Sequence, residues 1–392
     1  MVETFVGEAG EKFSDVRRIA VLRGGGLGDL MFAMPAVAAL AAAYPEASIT
    51  LLGNPSHRAL LGNRPGPVSE VVVLPCAEGV RPGPEDPEAL ERFFTQMRSR
   101  EFDLAVQVHG GGRFSNPFLL RLGARHTVGT KTEDAQPLER NLPYLYYQHE
   151  MLRALEVVGL AGAPVQNLEA RLEVTAEERA AAAQLRDPQA ARLLTIHPGA
   201  TDPRRRWPAE RFGEVAARAL AEGWQVLVVG DESDAAAAEV IVERARRGAS
   251  VGVGAASGDS ASTGDSASTG AGASAAGLVR SVAGKLALPE LLGVLAASDV
   301  VLGNDSGPRH LAMAVGAKTV GLYWLGNHIN AGPLGRGRHR SHLSWVTRCP
   351  ECGADVTQVG WTAERCEHDP SFLTDIHVEP VFADVKSLVS GG

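Results

Sequence analysis

Ile19-Ala-Val-Leu22-Arg-Gly-Gly-Gly-Leu-Gly-Asp29 is the stretch that decides the fold. Four apolar residues run straight into a glycine-rich turn, and an Ala-rich apolar segment follows. Strand, glycine turn and helix in that order open a βαβ unit, and the turn brings backbone N–H groups to the helix entrance, where a ligand can be met. The helix is expected to start near Pro35, because a first helical turn does not need the N–H that proline lacks. Ser48–Leu52, Glu70–Leu74 and Leu104–Val108 follow as apolar strands separated by amphipathic segments. Strands apolar on both faces imply a parallel sheet covered by helices on both sides.

The pattern then restarts. Leu193–Ile196 reads as a strand, Pro208–Glu222 as a helix, and Gln225–Val229 as a strand ending at Gly230-Asp231. Leu288–Ala297 is a helix, Val300–Leu302 a strand, Gly307–Val315 a helix and Thr319–Tyr323 a strand. The expectation is an α/β protein of two doubly wound domains, residues 1–175 and 190–392, facing an interdomain cleft where ligands bind at the carboxyl ends of the strands. Residues 254–277 are rich in Gly, Ala, Ser and Thr and repeat GDSAST at Gly258–Thr263 and Gly264–Thr269. Such a segment cannot bury enough apolar surface to offset its chain entropy, so it is expected to be a flexible insertion without function.

Composition narrows the function classes. With 392 residues the chain is too long for one ordinary core. Its 38 Lys+Arg against 46 Asp+Glu give a net charge of −8, which argues against broad affinity for nucleic acid or anionic lipid. Four cysteines exclude a disulfide-stapled secreted scaffold. The acidic start (Glu3, Glu8, Glu11, Asp15) is unlike a signal peptide, and the apolar stretch from Leu30 to Pro45 is too short to span a bilayer. A cytoplasmic protein with at most peripheral membrane contact is expected.

Three segments carry chemistry. The glycine turn lacks the Gly-Lys-Ser/Thr of a P-loop, and it fails the dinucleotide fingerprint because Asp29 stands where a glycine is required. Asp29 itself is open to two readings, an N-cap for the helix or a general base. Ile196-His-Pro-Gly-Ala-Thr-Asp-Pro-Arg-Arg-Arg-Trp207 sets three arginines beside Thr201, a diphosphate contact or a solvated basic turn. In Gly303-Asn-Asp-Ser-Gly-Pro-Arg-His310, the N–H groups of Ser306 and Gly307 open a helix and can meet an anion. Asp305 there suits a ribose or sugar hydroxyl. Asp231 falls on the same side and is expected to help seat a nucleotide. His109, followed by three glycines, is either an acceptor contact or a solvent-facing turn residue.

Gly28-Asp29 with Pro35, His197-Pro-Gly-Ala with Arg206-Trp207-Pro208, and Asn304-Asp-Ser-Gly-Pro-Arg-His310 together resemble glycosyltransferase family 9, the ADP-heptose:lipopolysaccharide heptosyltransferase family. The resemblance runs over residues 17–245 and 280–390. It implies a GT-B fold, with a first Rossmann-like domain for the acceptor and a second for the nucleotide sugar. It further implies an inverting transferase that needs no metal for its chemistry, with ADP-heptose as donor and a glycan or small molecule as acceptor. The family's catalytic aspartate maps onto Asp29, with Gly26, Gly28 and His109 on the acceptor side. Its donor-phosphate loop maps onto Thr201, Arg205 and Arg206, with Arg205 in the place of a lysine. Its donor motif maps onto Asp305, Ser306, Gly307 and His310.

Cys349-Pro-Glu-Cys352, with Cys366 and His368, has zinc-ligand character, and a closed site of this kind would be structural. A redox-labile pair or plain free thiols are the other readings. Two other functions compete with heptosyl transfer: a transferase using a different nucleotide sugar on a small natural product, and a catalytically idle nucleotide-sugar-binding protein. A nicotinamide-dependent oxidoreductase is disfavoured by the failed fingerprint.

Overall fold

The computed structural model describes residues 10–255, 277–357 and 365–390. The GDSAST repeat, and all of 256–276, lie outside the described residues. The chain divides into two compact units, residues 1–173 and 174–392.

The first unit is built on β1 (Arg18–Leu22), β2 (Ser48–Gly53), β3 (Glu70–Val73), β4 (Leu104–Gln107), β5 (His126–Lys131) and β6 (Arg140–Pro143). They pair in parallel throughout, in the order β3-β2-β1-β4-β5-β6. From β1 the chain winds to one side through β2 and β3, then crosses to β4 and winds to the other. The turns after β1 and β4 therefore lie side by side at the carboxyl edge, the topological switch point at which such sheets hold ligands.

The second unit repeats this design with β7 (Leu193–His197), β8 (Gln225–Val228), β9 (Val279–Ser281), β10 (Val300–Asn304), β11 (Thr319–Trp324) and β12 (His339–Ser344). Its order, β12-β11-β10-β7-β8-β9, is again parallel and puts the switch point between β7 and β10. Two doubly wound, Rossmann-like α/β units are thus present, as the apolar strand runs implied. β5, β6, β9 and β12 went unread in the sequence: β6 and β12 are half-buried edge strands with Arg, Asn, His and Ser among their residues, and β9 spans only three residues.

The first helix departs from expectation. α1 (Leu27–Ala43) begins eight residues before Pro35 and carries that proline inside. An interior proline costs about 3 kcal/mol. Burial of Leu30, Met31, Met34, Val37 and Leu40, each worth ~1.5–3 kcal/mol, outweighs it. The N-cap is Gly26, so Asp29 stands at the third helical position and not at the cap.

Candidate functional site

In the first unit the site begins at the turn after β1. Gly25 takes a left-handed φ of +83°, and a Cβ placed there would come within 2.5 Å of the Asp29 carboxylate. Asp29 Oδ2 accepts from the Gly26 N–H at 2.8 Å, the carboxylate half of a capping box, and Oδ1 accepts from Arg23 Nη2 at 2.9 Å. Arg23 is buried while the Asp29 side chain is 46% exposed, so the cation is fixed from beneath and the carboxylate stays open to a ligand.

Arg23 is fixed in turn. Its Nε donates to the Asp29 carbonyl at 3.0 Å, its Nη1 to the Val108 carbonyl at 2.6 Å, and its Nη2 reaches Glu150 at 3.4 Å. Glu150 opens α5 (Glu150–Gly159) and also pairs with the buried Arg153. Beneath the turn, Asn54 Nδ2 donates to the Gly25 carbonyl at 2.6 Å, and His57 Nε2 lies 3.3 Å from the Gly26 carbonyl. Burial holds the His57 imidazole below its ordinary range, so it stays neutral. His109, on the turn after β4, packs against Gly24 and meets the Gly79 carbonyl at 3.0 Å. Gly28 is the second residue of α1.

In the second unit the turns after β7 and β10 meet. Asn304, wholly buried, donates to the Pro198 carbonyl at 2.6 Å and accepts from the Trp207 N–H at 3.1 Å, which locks the two turns together. Asp305 Oδ1 lies 3.0 Å from His310 Nε2, and Oδ2 accepts from Arg205 Nη1 at 3.2 Å. The fully buried Arg309 stands 3.9 Å from the same carboxylate. Burial pushes the Asp305 carboxyl up, but His310, Arg309 and Arg205 outweigh it and hold it below the usual carboxylate range. Two arginines against one carboxylate leave the corner electropositive, as a diphosphate requires.

Ser306 is the N-cap of α10 (Gly307–Ala314), with its hydroxyl 3.0 Å from His197 Nδ1. His197 Nε2 in turn faces Asp234 at 3.4 Å. Arg206 is exposed and anchors its Nε to the Ala200 carbonyl at 2.8 Å, and Thr201 is exposed on the same loop. Asp231 accepts from the Ser233 N–H and hydroxyl, capping the short turn 232–234.

The cysteine cluster lies in the second unit. The ligand atoms of Cys349, Cys352, Cys366 and His368 all fall within 4.8 Å of one another. Backbone N–H groups of Cys352 and Glu351 point at the Cys349 sulfur and draw its thiol down to about 7. Gly353, left-handed at φ +72°, turns the chain back after the pair. Among the described residues His368 Nδ1 is buried without a hydrogen-bond partner, the nitrogen left to ligate an ion, and Glu351 flanks its Nε2 at 3.7 Å. Three soft thiolates and an imidazole suit zinc or iron.

The structure therefore gathers Asp29, Gly26, Gly28 and His109 at one switch point, and Thr201, Arg205, Arg206, Asp305, Ser306, Gly307 and His310 at the other. Sequence reasoning gave no functional role to Arg23, Glu150, His57, Asp234 or Arg309. Of these, only Arg23 and Arg309 sat inside quoted motifs. Glu150 is 127 residues from Arg23, and no local pattern announces that pair.

The glycosyltransferase family 9 (heptosyltransferase) model matches residues 90–255 and 261–350, more than half of the chain. That match takes in the turns after β7 and β10, begins after the Asp29 turn, and ends before Cys352, Cys366 and His368. The lipopolysaccharide heptosyltransferase 2 of Salmonella typhimurium is 24% identical over 395 residues, covering 95% of this chain and 99% of the relative. The solved ADP-heptose lps heptosyltransferase II of E. coli superposes with a TM-score of 0.67 at 19% identity, covering 96% and 99% of the two chains. The iron-containing dodecameric glycosyltransferase TibC of enterotoxigenic E. coli has a TM-score of 0.54 at 13% identity, covering 97% of this chain and 78% of its own. With the family model matched over more than half of its length, the chain belongs to glycosyltransferase family 9.

Proposed function

We propose that the protein transfers a heptose, with inversion, from ADP-heptose to an acceptor hydroxyl on a glycan or small molecule. The observation that carries this reading is the Arg205–Asp305–His310 corner, set beside the amides that open α10, within the span the family model matches. The heptose and its nucleotide follow the activities named for the Salmonella and E. coli relatives.

In this mechanism Asp29 removes the proton from the acceptor hydroxyl as that oxygen attacks the anomeric carbon, on the face opposite the diphosphate. Each carboxylate oxygen already accepts one hydrogen bond, from Gly26 or Arg23, and keeps a lone pair for the incoming hydroxyl. Negative charge then builds on the departing ADP. Arg205, Arg206 and the N–H groups of Ser306 and Gly307 meet it, so the diphosphate needs neither a proton nor a divalent ion to leave. His197, oriented by Asp234, fixes the Ser306 hydroxyl within this set. His109 contributes to the acceptor side.

The cysteine knuckle holds a structural zinc or iron outside the reaction. Iron enters because TibC is iron-containing, and zinc because of the ligand set. No helix among the described residues is long and apolar enough to cross a membrane. Action in the cytoplasm with peripheral membrane contact at most, and without nucleic acid, completes the proposal.

A donor screen tests it. ADP-heptose and ADP are expected to raise the unfolding temperature more than UDP- or GDP-sugars, and turnover with an acceptor panel should release ADP. Equal stabilisation by all nucleotides, or ADP held without release on any acceptor, would remove heptosyl transfer from consideration.

A further inference from the structure

The knuckle and the 201–206 loop are one packed assembly. Phe372 donates its N–H to the Arg204 carbonyl at 2.8 Å, and the Ser371 hydroxyl bonds the Arg206 carbonyl at 2.5 Å, so the segment just after His368 runs along the back of the arginine turn. Phe372 packs with Cys349 and Val356 in a small buried cluster that Cys366 borders. The Arg204 guanidinium lies over the Phe372 ring, 5.4 Å from its centre.

Arg204 itself is buried, while Arg205 is half-buried and Arg206 is exposed. Its Nε bonds Asp202 at 3.0 Å, and Asp202 also accepts from the Arg204 N–H, capping the turn that carries Arg205. Its Nη1 is buried with no hydrogen-bond partner among the described residues, while the sulfurs of Cys366 and Cys349 lie close enough to act on its charge. A divalent ion on three thiolates carries one net negative charge. Metal-bound sulfur, packed against the Phe372 ring that this guanidinium covers, therefore offers it a nearby counter-charge.

We propose that the metal-loaded knuckle is the backing that sets the 201–206 loop, with Arg204 as the positioning residue between them, so that metal occupancy governs how well the second unit holds a nucleotide diphosphate. The last clause rests on the reading of Arg205 and Arg206 as diphosphate contacts. The coupling of knuckle to loop does not.

The test uses the full chain under reducing conditions, loaded with Zn²⁺ or stripped with a chelator, and reads backbone hydrogen exchange. Peptides over 199–207 report the loop, and peptides over β1 and 308–315 serve as controls. About one zinc per chain is expected, in line with a single four-ligand site. Stripping should speed exchange over 199–207 by about tenfold or more, with the controls unchanged. Arg204→Met should keep its zinc yet exchange fast over 199–207 even when loaded. Absence of bound zinc, equal loop exchange in both forms, or an Arg204→Met loop as protected as wild type would each overturn the coupling. An ADP titration run alongside separates the two ideas. Affinity falling with zinc removal supports the whole proposal, whereas a loop that responds to zinc in a protein blind to ADP refutes the diphosphate reading and leaves the coupling standing.

Discussion

Asp29 is half-exposed above a buried arginine, and that contrast defines what each can do. Arg23 fixes one carboxylate oxygen from below and is itself pinned by two carbonyls and Glu150. Arg23→Met should leave Asp29 held by the Gly26 N–H alone and leave Glu150 with Arg153 as its remaining cation. The expected outcome is a loss of about 2–3 kcal/mol in urea unfolding and a lower kcat, with ADP affinity unchanged because the proposed nucleotide contacts lie in the other unit. In the second unit, Arg205→Ala should weaken ADP binding by roughly tenfold to a hundredfold in calorimetry, and Arg205→Lys should recover only part of it, since an ammonium cannot span Asp305 and a phosphate in one plane. Unchanged affinity in both variants would take Arg205 out of the donor site.

At the scale of elements, the turns that follow β1, β4, β7 and β10 do the positioning, and the sheet order puts them at the two switch points. Gly25→Ala probes the first turn. A left-handed alanine costs about 1–2 kcal/mol, and its Cβ would push on the Asp29 carboxylate, so both stability and kcat should fall together.

Apolar strand runs made both sheets legible in the sequence, because a strand buried on two faces cannot hide its composition. The edge strands β6 and β12 escaped notice, since Arg140-Asn-Leu-Pro143 and His339-Arg-Ser-His-Leu-Ser344 are half-solvated and read as loop. Pro35 misled for a related reason: local propensity places proline at a helix start, but the burial along α1 is a tertiary quantity. The site residues that motifs carry in sequence were readable. Those that act from another element, such as Glu150 on Arg23 or Asp234 on His197, are visible only once the chain is folded. Asp231, read as a nucleotide contact, also caps its own turn through Oδ1.

For the whole molecule, titration should show at the second unit. His339 is buried, and burial together with Arg309, Arg338 and Arg340 lowers its imidazole to about 4. The unfolded chain takes up that proton near the ordinary 6.5, well before the folded chain does. Stability is therefore full above about pH 6.5 and falls by ~1.4 kcal/mol per pH unit between there and pH 4. All five tryptophans follow residue 200, so their fluorescence reports the second unit alone. Urea unfolding followed this way should weaken from pH 7 to pH 5, and His339→Gln should flatten that dependence. A wild-type midpoint that does not move would place the His339 proton elsewhere.

In the proposed reaction the acid–base step falls to Asp29 in one unit and the nucleotide to the other. Asp29→Asn separates the two, measured for ADP-heptose binding by calorimetry and for ADP release with an active acceptor. Donor affinity is expected within about twofold of wild type and turnover lower by roughly 10²–10⁴-fold, the range of general-base catalysis. Wild-type turnover in Asp29→Asn, or loss of donor binding with it, would rule out this division.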